Sequence, residues 1–118
     1  MSDYPRFRDG FAEAMDPRHY NIEWLDERLM LGSAFFWSSP NAAIVAKIKL
    51  YPTGAKDIHG LVATGEMSEI VGTLIPTAEA WGKAQGCNGA IIESRAGWQR
   101  ILKSHGYAPF QMAVRKEY

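Results

Sequence analysis

The sequence predicts an α/β protein of the α+β kind, a mixed and mostly antiparallel sheet flanked by helices, on three observations. Residues Ala42 to Tyr51 alternate Ile44, Ala46, Ile48 and Leu50 against Val45, Lys47, Lys49 and Tyr51, the period of a strand with one dry and one wetter face. Ile70, Val71, Leu74, Ile75, Ala78 and Trp81 recur at helical steps and form one stripe of a helix ending at Gly86. Beyond it, Asn88 to Glu93 reads as a buried strand, Trp98 to Ser104 as a short helix and Pro109 to Arg115 as a closing strand, which gives helices interleaved with strands.

In chain order, residues 1 to 19 are polar and interrupted by Pro5, Gly10 and Pro17, with Phe7, Phe11 and Met15 at every fourth position. A short helix around Phe7 to Met15 and an extended arm fit equally well, so the chain divides into an N-terminal arm, 1–19, and a single domain, 20–118. Aromatic side chains on an arm that does not pack on the body suit docking, which makes Phe7 and Phe11 interface candidates. Asn21 suits an N-cap, and Ile22, Leu25 and Leu29 predict a helix from about Ile22 to Leu31 that stops at Gly32.

Ser33 to Trp37 reads as a short aromatic strand, followed by the turn sequence Ser38-Ser39-Pro40-Asn41. Phe36 and Trp37 are neighbours in that strand, so one is expected to face away from the core, and Trp37 joins the interface candidates. After the alternating strand, Pro52 to Lys56 form a turn and Asp57 to Thr64 the hairpin partner. Ser68 can cap the long helix, whereas Pro76 lacks a backbone donor and is expected to kink or break it, leaving Thr77 to Gln85 continuous. Gly86 and Gly106 suit the left-handed position that ends a helix.

Composition narrows the function. A chain of 118 residues has room for one core. Thirteen Lys and Arg balance thirteen Asp and Glu, so bulk charge does not predict nucleic-acid binding. One cysteine, Cys87, and three well-separated histidines offer neither a disulfide nor a metal-ligand spacing. No apolar run predicts a membrane span and no signal core is visible, so the expected location is a host cytoplasm or a virion.

The run Gly86-Cys87-Asn88-Gly89-Ala90-Ile91-Ile92-Glu93-Ser94-Arg95-Ala96-Gly97-Trp98, continued to Gly106-Tyr107, resembles the C-terminal half of the GNAT superfamily of acyl-CoA-dependent N-acyltransferases. It is most similar to small GNAT-like proteins encoded among the structural genes of tailed bacteriophages. The resemblance implies a pared-down GNAT fold over roughly residues 20 to 118.

GNAT enzymes hold the coenzyme A pyrophosphate on an Arg/Gln-x-x-Gly-x-Gly/Ala loop, whose amides and helix N-terminus attract phosphate. The matching stretch here, Gly65 to Thr73, has no arginine, carries Glu66 and Glu69, and leaves Gly72 and Thr73 as the cofactor-binding candidates. An open loop from Met67 to Thr73 would favour binding, and a plain helical turn would weigh against it. The resemblance places Tyr107 near the tyrosine that protonates the departing thiolate in some family members; burial beside Trp98 as a packing residue is the alternative. Glu93, the one carboxylate on a predicted core strand, is the candidate general base, or else pairs with Arg95 or Arg100.

Two functions follow. The favoured one is a non-catalytic GNAT-like protein without cofactor, which binds protein subunits such as phage structural proteins, or forms a homo-oligomer, as a virion or assembly component. The alternative is a small acetyl-CoA-dependent N-acetyltransferase with a divergent pyrophosphate loop.

Overall fold

Four strands form one sheet in the order β1-β2-β3-β4 in a computed structural model that describes residues 3–93 and 96–118. The strands are β1 (Phe35–Ser39), β2 (Ala42–Leu50), β3 (Lys56–Gly65) and β4 (Gly89–Ile92). The first three are antiparallel neighbours, and β4 runs parallel to β3. Helices α1 (Tyr4–Ala14) and α2 (Ile22–Met30) precede the sheet. A long helix follows β3, made of α3 (Met67–Glu69), a π-helical turn (Ile70–Leu74) and α4 (Ile75–Ala84), and α5 (Ala96–Lys103) follows β4.

Both sheet faces are covered, which overturns the reading of one dry face. Ala42, Ile44, Ala46 and Ile58 pack with Ile70, Leu74, Ile75, Ala78 and Leu102, the layer of the long helix and α5. Ala43 and Val45 pack on the other face with Tyr4, Phe7, Phe11, Leu25 and Leu29 of α1 and α2. Residues 1–19 therefore supply part of the core instead of a detached arm. Proline at the first turn of α1 lacks only an amide that has no helical acceptor there, so Pro5 starts the helix without breaking it.

Phe7 and Phe11 are 8% and 0% exposed, so the expectation that they project as docking residues is corrected. Phe36 lies edge-on to Tyr4 and Phe11, with ring centroids 5.7 and 6.2 Å apart. Trp37, on the opposite face, meets Trp81 at 5.4 Å. Neither points away from a core, because each face of β1 has a helical layer to fill it; the interface assignment of Trp37 rested on a single covered face.

Pro76 does not break the long helix. Its ring would collide with the carbonyl four residues back in a regular α-helix. The chain widens into the π turn just before it, where the Ile75 amide reaches Ile70 O. The Thr77 hydroxyl donates to Thr73 O at 2.7 Å, satisfying a carbonyl in the widened turn. At the other end Gly86 takes φ +88°, and the Cys87 amide donates to Gly82 O at 2.9 Å, the expected helix termination.

The closing strand predicted over Pro109 to Arg115 does not form. Residues 108–118 make no backbone hydrogen bond among the described residues, and a strand without a ladder partner is not a strand.

Candidate functional site

The sheet opens between its two parallel strands. Pairing of β3 with β4 starts at Asp57↔Gly89 and stops at Gly60↔Ile92, while β3 continues beside β2 to Gly65. The start is pinned by Asn88, whose amide donates to Lys56 O at 2.7 Å and whose side-chain Oδ1 accepts from the Lys56 amide at 2.9 Å. The register of β2 against β3 shifts at Val45/Ala46, which leaves Leu61 as the extra residue of a bulge one position beyond Gly60. Past this apex, the side of β3 that faced β4 has no strand partner among the described residues, and an extended amide chain can pair there.

Two acid-base groups flank the apex, one on each face. On the long-helix face, the Tyr107 hydroxyl donates to Glu79 Oε2 of α4 beside an apolar depression of about 40 Å³ lined in part by Ile58, Gly60, Ala90 and Ile92. Burial first, and the Glu79 carboxylate second, push the Tyr107 phenol well above its ordinary value, so it stays protonated. Gly106, at φ +89°, turns the chain after α5, and the Tyr107 amide closes on Leu102 O at 3.2 Å.

On the α1/α2 face, His59 Nε2 lies 3.2 Å from Glu93 Oε1. The imidazole is largely buried and its Nδ1 has no hydrogen-bond partner among the described residues. Burial lowers the His59 pKa, the Glu93 carboxylate opposes that shift, and Lys47 and Lys49 reinforce it. Glu93 itself is 78% exposed at the end of β4. Its expected partner Arg95 lies outside the described residues, and no ion pair joins Glu93 to Arg100 among the described ones. His59 was not singled out from sequence; its signal was the strand parity that sets it opposite Lys47 and Ile91.

The stretch from Met67 to Thr73 is helical instead of an open loop, yet it is no plain turn. The amides of Met67 and Ser68 make no backbone hydrogen bond among the described residues. Ser68 lies within the first turn, and the cap position falls to Glu66. Glu69 is held on the β1–β2 turn: its Oε1 accepts from Ser39 Oγ at 2.6 Å and from the Asn41 amide at 2.9 Å. Those contacts lower the Glu69 carboxyl pKa, the Ser39 hydrogen bond first. Gly72 and Thr73 are exposed on the π turn, and a Cβ added at Gly72 would meet open space.

Solved structures share this architecture. The chain superposes on the aminoglycoside antibiotic 6'-N-acetyltransferase of Acinetobacter haemolyticus with a TM-score of 0.74 at 15% identity, covering 99% of this chain and 92% of that one. A predicted acetyltransferase from Clostridium acetobutylicum, solved with acetyl-CoA, gives 0.71 at 10% identity over 98% and 90%. A GCN5-related N-acetyltransferase from Ralstonia eutropha gives 0.68 at 22% identity over 81% and 72%. The fold is GNAT-like. No protein-family model and no curated protein matches the chain.

These GNAT neighbours overturn the expectation of a non-catalytic virion component. Two are named as N-acetyltransferases and the third as a predicted acetyltransferase, and none of the three is named for a place in a phage particle. Among the described residues no helix is long and apolar enough to cross a membrane.

Proposed function

We propose that the protein is a small N-acyltransferase that takes its acyl group from acetyl-CoA, with a divergent pyrophosphate site. The single observation that carries this reading is the apex at Gly60, where β3 and β4 part beside the Leu61 bulge. The GNAT-like neighbours, one of them solved with acetyl-CoA, support it.

The residues present fit such a cosubstrate in two respects. The unpartnered side of β3 suits the amides of an extended pantetheine arm, and the Met67 and Ser68 amides at the head of the long helix suit phosphate oxygens. Glu69, one of the two carboxylates that weigh against phosphate there, stays ionised but is occupied by Ser39 and the Asn41 amide. When bound, the cosubstrate supplies a thioester-activated acetyl group. Gly72 and Thr73 border the site on the π turn.

The side chains divide the proton transfers between the two faces. Glu93 takes the proton that the acceptor amine loses, and neutral His59 holds the carboxylate beside the apex through Nε2. On the other face Tyr107, kept protonated by burial and Glu79, gives its Oη proton to the leaving sulfur.

Calorimetric titration with acetyl-CoA tests the reading. Saturable binding in the micromolar range, roughly −8 kcal/mol, is expected. No heat from protein whose fold is verified by circular dichroism rejects it.

A further inference from the structure

We infer that the acceptor is an amine that also carries an anionic group, a carboxylate or a phosphate, and that Lys47 holds this anion on the α1/α2 face of the sheet. This names the substrate class of the site described above and rests on the acyltransfer reading.

Helices α1 and α2 cover only part of that face. They pack on Ala43, Val45, Leu61 and Val62, and Gly10 of α1 lies against the Thr64 side chain. Beyond Val45 the same face of β2 and β3 turns polar, with Lys47 opposite His59 and Lys49 opposite Asp57. On its other side His59 meets Ile91 of β4, and Glu93, two residues on, shares the face and closes on His59 Nε2. A row therefore crosses three strands, with a cation on β2, the imidazole on β3 and the proposed base on β4.

No carboxylate of the fold takes up the Lys47 charge. The side chain is partly buried, and neither Lys47 nor Lys49 enters an ion pair among the described residues. Asp57, opposite Lys49, accepts from the Tyr51 hydroxyl at 2.9 Å. Both ammonium groups act on the His59 imidazole, so their field reaches the row. The phosphates of acetyl-CoA do not account for them. The Met67 and Ser68 amides lie beyond Gly65, six residues of strand from His59, or about 20 Å along β3.

The row also sets an orientation. The axes of β2 and β4 are about 10 Å apart, so an amine at Glu93 leaves its anionic group, several bonds away, within reach of Lys47. A second amine in place of the anion would meet like charge there.

Thiol release from acetyl-CoA with two matched acceptor pairs, γ-aminobutyrate against γ-aminobutyramide and phosphoethanolamine against ethanolamine, tests the inference. The anionic member of at least one pair is expected to have the higher kcat/KM, by about tenfold, and the responding pair names the anion. Lys47→Gln should bring that ratio close to one, chiefly by raising KM for the anionic amine, and Lys47→Arg should keep it. Equal kcat/KM within both pairs, or a preference that survives Lys47→Gln, overturns the inference and leaves the proposed activity standing. Acetyl-CoA binding without turnover of any of the four amines also overturns it. Absence of acetyl-CoA binding in the calorimeter rejects the proposed function and this inference with it.

Discussion

The Tyr107 hydroxyl donates to Glu79 Oε2, joining the turn after α5 to the middle of α4 beside the apex of the parting strands. Phenylalanine at 107 keeps the ring and removes the proton. Tyr107→Phe is expected to lower kcat about 10²-fold while acetyl-CoA affinity holds, measured by thiol release and calorimetry. An unchanged kcat would leave Tyr107 with packing alone.

His59 gives a pH dependence of stability with a defined sign. Its folded pKa lies below the ordinary 6.5 because burial disfavours the imidazolium, despite Glu93 and with Lys47 and Lys49 adding to the shift. Between the folded and ordinary values the unfolded chain binds more protons, so stability rises with pH there and levels off above about 6.5. Thermal midpoints of wild type should climb through this window, and His59→Gln should climb less. Equal slopes for the two proteins would remove His59 as the cause.

Phe11 is fully buried between α1, α2 and the sheet. Phe11→Ala is expected to cost about 3–5 kcal/mol, read from urea midpoints. A loss near zero would return residues 1–19 to the status of an arm.

Gly65 links β3 to α3 at φ +103°, and a Cβ there would stand 2.1 Å from Asn41 O. The backbone of the β1–β2 turn cannot yield as a flexible side chain would. Gly65→Ala should destabilise by more than about 1 kcal/mol and, by shifting the head of the long helix, weaken acetyl-CoA binding. Full retention of both stability and affinity would contradict this account of the junction.

Much of the architecture was legible because it is local. The alternation over Ala42 to Tyr51 matches β2, the Asn21 cap and its apolar stripe match α2, and Gly86 and Gly106 end their helices as glycines there should. Pro76 was legible as a disturbance but not as a π turn, since widening or breaking depends on whether tertiary packing holds the helix together on both sides. Tyr107 and Glu93 stood out as chemical groups. Their partners Glu79 and His59 did not, because each pairing joins residues far apart in the chain.

By itself the sequence determined α2, the hairpin of β2 and β3, the apolar stripe of the long helix, a short strand and helix after it, and a resemblance to GNAT proteins. Periodicity says which side chains share a face. Only the tertiary structure decided what covers each face, and so sent Phe7, Phe11 and Trp37 into two cores. It also decided where β3 and β4 part and left the 109–115 segment without a strand partner among the described residues. These outcomes rest on contacts between distant segments, whose strength depends on which surfaces meet after the chain folds and not on the pattern within any one of them.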